Sequence, residues 1–70
     1  MPLSCVGPGC PVQVSVVSGE TKLKNQLLGF GILPGAPLEV LQKNSSSLVV
    51  KVRETRLMLP FQFAHHIHVH

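Results

Sequence analysis

The chain has 70 residues, enough for one small domain whose single core provides roughly 3–5 kcal/mol of net stability. At 44% hydrophobic and 13% charged it is too apolar to be disordered, and no apolar run approaches the roughly 18 residues of a membrane span. Its net charge of +3 comes from scattered lysines and arginines, and it has three Phe but no Trp or Tyr. This composition argues against a nucleic-acid-binding barrel, which is one alternative we considered.

The N-terminal segment is rich in proline and glycine, and its Gly-Pro-Gly tripeptide at positions 7–9 is typical of a turn. We therefore expect residues 1–8 to form a flexible lead-in to a single domain that spans residues 1–70. The segment lacks the basic region and the apolar stretch of a secretory leader, so we expect a cytoplasmic location.

Valine alternates with polar residues after this segment, which predicts a half-buried strand over residues 12–17. The side chains expected to point inward are Val12, Val14 and Val16. A Ser-Gly pair ends the alternation, and a short amphipathic helix is predicted over residues 20–30. At about ten residues such a helix is marginal alone, so it must pack on the rest of the domain.

The end of this helix carries several strong backbone signals within a few residues. Gly31 is predicted as the residue just past the helix, because glycine adopts a positive φ freely. Pro34-Gly35 then predicts a corner that begins the next strand. Three apolar residues at helical spacing, Leu23, Leu27 and Phe30, form a stripe that is predicted to anchor the helix. The residues assigned a structural role are these three together with Gly31, Pro34 and Gly35.

The second half of the chain predicts a series of short elements. These are strands over residues 38–43, 48–53 and 56–59, a polar hairpin loop over residues 44–47, and a tight turn at Glu54-Thr55. A helical turn over residues 60–65 with Pro60 at its first position is followed by a last strand that contains Ile67 and Val69. Five short strands interrupted by one helix indicate a small, partly closed β-barrel.

The order of these residues resembles the ferrous iron transport protein A (FeoA) family. The run Leu27-Leu28-x-Phe30-Gly31-Ile32-x-Pro34-Gly35 is similar to that family's helix-to-strand signature. The resemblance covers residues 9–69 and continues through Gly9, Val14, Leu38-x-Val40, Val50-x-Val52, Arg56-Leu57-Met58-Leu59, Ala64, Ile67 and Val69. The chain departs from the pattern at Gly29, where a polar helical residue is usual, and at Glu54, where a turn glycine is common.

The resemblance implies a mainly β fold, a small SH3-like barrel of about five strands with one inserted short α-helix. It also implies a non-catalytic accessory or regulatory protein of ferrous iron transport. Such a protein docks on the cytoplasmic GTPase region of the FeoB permease and is recruited by it to the inner face of the membrane. Direct membrane insertion is not expected, and weak self-association is the other interaction we considered.

The helix and the corner that follows it are the predicted partner surface. Polar side chains flank the apolar stripe there, and two leucines nearby need not be buried. The residues assigned to partner binding are Lys22, Lys24, Gln26, Leu28, Gly29 and Leu33. The alternative is that Leu28 and Leu33 complete the core.

The C-terminal tail is the cluster with the clearest ligand chemistry. If Ile67 and Val69 point inward, the alternation of a strand places His66, His68 and His70 together on the outer face. Neutral imidazole suits divalent ions such as iron and zinc, so the tail predicts a transition-metal carrier or sensor as the alternative function. The competing interpretation is an exposed polar face, and the accessory function itself requires no cofactor.

Two cysteines are weaker metal candidates. Cys5 and Cys10 flank the Gly-Pro-Gly turn, and their thiolates could join the histidines, although the spacing matches no recognised zinc pattern. A reducing cytoplasm disfavours a disulfide between them, so the favoured interpretation is two unlinked thiols in the N-terminal segment.

No arrangement of residues predicts catalysis. The chain has no Asp, and its three Glu residues are scattered singly, so we predict a protein that is not an enzyme. A role in GTP hydrolysis would require Arg53 or Arg56 to act as an arginine finger on a GTPase. Solvated strand charges are the favoured interpretation of both arginines.

Overall fold

Five strands and two α-helices make up the computed structural model, which describes all residues from 1 to 70. A 3₁₀ turn over Leu3–Cys5 precedes them. The elements are β1 (Pro11–Val17), α1 (Thr21–Gly29), β2 (Pro37–Lys43), β3 (Ser47–Val52), β4 (Thr55–Pro60), α2 (Phe61–Ala64) and β5 (Ile67–Val69). The strands form one antiparallel sheet in the order β4-β3-β2-β1-β5. This architecture confirms the predicted mainly β fold with a short helix inserted after the first strand.

The β3–β4 hairpin shows how alternation and register set the fold. Leu48 and Val50 are completely buried, whereas Lys51 between Val50 and Val52 is exposed. Val52 pairs with Thr55, so the turn consists of Arg53 and Glu54, one residue earlier than predicted. At the other end of β4, the helical turn begins one residue later than predicted, because Pro60 is still in the strand and caps α2.

Strand β1 differs from the predicted alternation at Val16. Val14 and Val17 are buried, but Val16 is 51% exposed. The pairing of β1 with β5 shifts register between Val14 and Val16, and such an irregularity turns the following side chains to the opposite face. Val16 therefore lies on the surface, although alternation from Val14 predicted that it would point inward.

The N-terminal segment is part of the core, which corrects the prediction of a flexible lead-in over residues 1–8. Leu3 is completely buried and Val6 is 4% exposed. The backbone of Met1 accepts a hydrogen bond from the Val69 amide at 2.8 Å, and Pro2 forms a bridge with His68. A Gly-Pro-Gly sequence predicts only the local backbone conformation. It therefore could not predict that the preceding residues pack along the outer edge of β5.

The core lies between the sheet, α1, α2 and the N-terminal turn. Its fifteen buried residues are Leu3, Val6, Val14, Val17, Leu27, Ile32, Leu38, Val40, Leu48, Val50, Val52, Leu59, Ala64, Ile67 and Val69.

Phe30 was predicted to complete the apolar stripe of α1, and this prediction is wrong. Leu27 is completely buried and Leu23 is half-buried, but Phe30 is 53% exposed. Phe30 is the C-cap of the helix, one residue beyond its end at Gly29, and its side chain stays on the surface there. Ile32 takes the core position instead, since the chain turns back over Leu27 beyond the helix end.

Candidate functional site

The helix-to-strand joint, residues 27–35, supports the candidate site. The Gly31 amide donates to the Leu28 carbonyl at 2.9 Å, and the Ile32 amide donates to the Leu27 carbonyl at 3.0 Å. This pair of bonds is a Schellman motif, in which Gly31 adopts a φ of +89°. The buried side chains of Ile32 and Leu27 supply the apolar contact that accompanies the motif. The end of α1 is therefore held by backbone hydrogen bonds and by the core.

The Pro34-Gly35 corner attaches the joint to β1. The Ala36 amide donates to the Leu33 carbonyl at 3.0 Å, and Gly35 has a φ of +91°, the combination expected of a type II turn. The Gly35 amide donates to the Val14 carbonyl at 2.8 Å, and the Val14 amide donates to the Ala36 carbonyl at 2.9 Å. These bonds hold the corner against β1.

A groove of about 230 Å³ lies between α1, β1 and the joint, and we call it the α1/β1 groove. It is lined by Val16, Val17, Lys24, Asn25, Leu28, Ile32, Leu33 and Pro34. Val16 and Leu28 are each about half exposed on it, and Lys24 is its only charged residue. The groove is therefore an apolar surface with one cation at its edge.

A second groove of about 380 Å³ lies on the opposite side of α1, against α2, and we call it the α1/α2 groove. Most of its lining residues are of polar type, and the full set is Gly19, Glu20, Lys22, Leu23, Gln26, Gln62, Phe63 and His66. Helix α1 is thus a ridge between two grooves, one lined mainly by apolar residues and the other mainly by residues of polar type.

The structure divides the predicted partner surface between these two grooves. Lys24, Leu28 and Leu33 come together on the α1/β1 groove, whereas Lys22 and Gln26 face the α1/α2 groove. Gly29 lines neither groove and lies exposed at the end of the ridge, where a Cβ would meet no atom within 4 Å. The six residues therefore do not form one continuous site.

Sequence reasoning missed Val16 as a member of the α1/β1 groove. Strict alternation assigned Val16 to the core, and the bulge in β1 moves it to the surface. The adjacent valines at positions 16 and 17 were the available signal, because two neighbouring apolar residues cannot both point inward in a regular strand.

The C-terminal histidines do not form one cluster. His66 Nδ1 and His68 Nε2 lie 3.4 Å and 3.3 Å from the same atom, Ser18 Oγ. His70 is exposed beyond the end of β5, and His65 Nδ1 lies 2.8 Å from Ser4 Oγ. No group of three or more His, Cys, Asp or Glu side chains is placed to hold a metal ion, so the predicted three-histidine arrangement is not formed.

The remaining candidates do not line the α1/β1 groove. Cys5 and Cys10 are exposed free thiols, and neither joins the histidines. Arg56 is an exposed residue of β4. Arg53 lies in the β3–β4 turn with a φ of 57°, and its side chain reaches towards Gly31. Arg53 also lines a third groove, of about 310 Å³, with residues of the joint that include Leu33 and Pro34.

The sequence model of the FeoA domain family matches residues 1–70. A crystal structure described as that of the iron uptake regulatory protein FeoA is 27% identical, with a TM-score of 0.93 over 99% of this chain and 93% of that chain. The solution structure of FeoA from Chlorobium tepidum is 28% identical, with a TM-score of 0.90 over 100% and 69% of the two chains. No curated protein gives a significant match.

A third solved structure describes the fold itself. FeoA from Stenotrophomonas maltophilia, crystallised with zinc and described as an SH3 domain protein, is 22% identical to this chain. The TM-score is 0.87 over 100% of this chain and 89% of that chain. The likeness confirms the predicted SH3-like fold.

Proposed function

Because the chain belongs to the FeoA domain family, whose members are implicated in ferrous iron transport, we propose that it is a non-catalytic accessory protein that docks on the cytoplasmic GTPase region of the FeoB permease. The docking surface in this proposal is the α1/β1 groove. None of the helices is long and apolar enough to cross a membrane. Docking on the cytoplasmic region of the permease would place the chain in the cytoplasm, where its partner recruits it to the membrane.

The observation that supports this choice of surface is the pairing of exposed apolar side chains on a rigid support. Val16 is 51% exposed and Leu28 is 52% exposed, and both line the same groove. Covering such side chains with a partner contributes roughly 25 cal/mol per Å² of apolar surface removed from water. The hydrogen-bonded joint beneath them loses little freedom on binding, so more of this contribution remains as affinity.

The charge on this groove indicates what the partner surface contains. Lys24 is the only charged residue that lines it, and Asn25 is its polar neighbour on the helix. A partner segment with an apolar side chain between Val16 and Leu28 and a carboxylate facing Lys24 would match both features. The apolar contact provides most of the affinity and the charge pair orients the complex, as at other protein interfaces.

Direct binding of this chain to the isolated GTPase domain of its FeoB partner tests the proposal. Leu28→Asp is expected to weaken binding by at least about tenfold, because it removes an exposed apolar contact and places a carboxylate one turn from Lys24, where it competes with the partner's carboxylate for that cation. The titration is followed by calorimetry, and ferrous iron uptake in cells that carry the same variant is expected to fall.

Met58→Asp is the matched control, since Met58 is 65% exposed but lies on β4 away from the groove. It is expected to bind like the unaltered chain. Unchanged binding by a folded Leu28→Asp variant would contradict the assigned surface. Equal losses in both variants would point to a general charge effect rather than to docking through the groove.

The alternative function, a metal carrier or sensor that uses His66, His68 and His70 with iron or zinc, requires several ligands around one ion. No three such side chains are placed together here, so nothing in the geometry favours this function over docking. The zinc in the Stenotrophomonas maltophilia structure belongs to that protein. The tail instead brings two histidines, His66 and His68, near one hydroxyl group, that of Ser18.

A further inference from the structure

Two grooves meet at the helix-to-strand joint and form one continuous surface. Leu33 and Pro34 line both the α1/β1 groove and the third groove. Each groove has a single charged residue, which is Lys24 in the first and Arg53 in the other. We infer that the partner segment in the α1/β1 groove continues over Pro34 into the third groove, where a second carboxylate pairs with Arg53. This inference rests on the proposed function and names the segment that the partner presents.

The Arg53 side chain lies over the joint. Its Nε atom would be 3.9 Å from a Cβ placed on Gly31, so the side chain runs from the β3–β4 turn towards the end of α1. Because Gly31 has no side chain, this path is open. Val52, the residue before Arg53, is buried and holds the start of the turn in the core. A fixed part of the fold therefore brings the guanidinium to the joint, while Arg53 itself stays exposed.

The chain supplies no carboxylate for Arg53 in this surface. No acidic residue lines the α1/β1 groove or the third groove, and this includes Glu54, the neighbour of Arg53 in the turn. Arg53 also borders a fourth groove that contains Glu39, but Glu39 lies opposite Lys51 in the β2–β3 pairing. Oppositely charged residues in such cross-strand positions attract each other. The five N–H donors of the guanidinium are thus available to a carboxylate from another molecule.

The backbone at Arg53 shows that the side chain there has a role beyond the turn. Arg53 is the only residue other than glycine with a positive φ, at 57°. Glycine adopts this conformation without strain, so the turn itself would be better served by glycine. Residues held in sparsely populated backbone conformations are concentrated at binding and active sites. What arginine adds at this position is a charged side chain that faces the joint.

The chemistry of the surface defines the segment that fits it. A guanidinium matches a carboxylate through two parallel hydrogen bonds, whereas the ammonium of Lys24 acts as a point charge. Leu28 and Leu33 lie on the apolar part of the surface. The matching segment therefore carries apolar side chains between two carboxylates. Charge contacts at two separate points also fix the register of the segment, which a single contact cannot do.

Binding of the full chain to the isolated GTPase domain of its FeoB partner tests the inference. Arg53→Gln is expected to weaken binding about three- to tenfold, and the loss should shrink at high salt because the contact is electrostatic. Arg53→Lys keeps the charge but not the planar fork, so it should retain part of the affinity. Arg56→Gln is the matched control, because it removes the same charge from a residue that lines neither groove. It is expected to bind like the unaltered chain.

Arg53→Gly separates binding from folding, because its two expected effects have opposite signs. Glycine relieves the strain at a φ of 57°, so the midpoint of urea unfolding should rise. Binding to the GTPase domain should nevertheless weaken as much as in Arg53→Gln. If Arg53 served only the turn, the more stable variant would bind like the unaltered chain.

The outcomes distinguish this inference from the proposed function. If Leu28→Asp weakens binding but Arg53→Gln and Arg53→Gly do not, the inference is overturned and docking through the α1/β1 groove stands. If the Arg53 variants keep their affinity but slow GTP hydrolysis by the domain, Arg53 acts on the nucleotide, and the inference is again overturned. A complete absence of binding by the unaltered chain would overturn the proposed function and this inference together.

Discussion

The helix-to-strand joint and the β3–β4 turn are two bends that line the same groove, and they contain residues with positive φ of different types. In the joint, Gly31 and Gly35 have φ values of +89° and +91°. In the turn, Arg53 has a φ of 57°, which costs a residue with a side chain roughly 1–2 kcal/mol.

The difference shows two ways of specifying a bend. The joint is encoded locally, since glycine and proline favour the conformation that the backbone adopts there. The conformation of the turn is determined by strand pairing, because the pairing of Val52 with Thr55 leaves only two residues to reverse the chain. Its first residue, Arg53, adopts a positive φ although it is not glycine, as in the favoured two-residue turns that usually contain glycine.

The largest effect is expected at the joint, from Gly31→Ala. A Cβ there would make ordinary contact with Val52, 3.5 Å away, so the cost arises from the backbone conformation. We expect the free energy of unfolding to fall by about 1–2 kcal/mol. This corresponds to a melting temperature lower by several degrees, measured by thermal and urea unfolding.

Gly7→Ala is the control, since a Cβ at Gly7 meets no atom within 4 Å and its φ is not positive. It is expected to leave stability nearly unchanged. If Gly31→Ala is as stable as the unaltered chain, the joint does not depend on glycine and the comparison between the two bends fails.

An opposite and smaller change is expected at the turn, from Arg53→Gly. Removing the strain at a φ of 57° outweighs the greater freedom of glycine in the unfolded chain, so stability should rise by about 0.5–1 kcal/mol. Urea unfolding measures the change. Arg56→Gly is the matched variant and should lower stability, because Arg56 lies within β4 and glycine weakens strand interiors. A loss of stability in Arg53→Gly would show that the arginine side chain stabilises the turn.

The smallest effect is expected from Gly29→Ala at the end of α1. Gly29 has a negative φ and open space around it, and alanine is the better helix former, so stability should rise by up to about 1 kcal/mol. Binding to the GTPase domain should not change. Gly29→Glu should fold equally well, but it places a carboxylate at the end of the ridge and is expected to weaken docking severalfold. Equal binding by both variants would exclude the ridge end from the interface.

Most of the fold could be predicted because the relevant signals are local. Alternation at Leu48, Val50 and Val52 identified β3 and its buried face, and the glycine-proline pattern identified the joint. The prediction failed where a distant partner decides a side chain's position. Val16 faces outward because of the register between β1 and β5, and Leu3 enters the core because the N-terminal turn packs against α2 and β5.

The candidate site was predictable only in part for the same reason. Lys24, Leu28 and Leu33 were predicted to belong to a partner surface, with burial of the two leucines left as the alternative, but their grouping with Val16 depends on β1. The tail was identified as histidine-rich, but the partner of His66 and His68 is Ser18, which lies 48 and 50 positions earlier in the chain. No spacing rule connects residues that far apart.

By itself, the sequence determined the family, the strand and helix content, and the glycine bends, because these follow from side-chain periodicity and from the backbone preferences of Gly and Pro. The tertiary structure alone decided which side of α1 is apolar, which valine of β1 is exposed, and which histidines share a neighbour. Those features depend on the register of paired strands and on packing between distant segments, and neither is contained in any local stretch of residues.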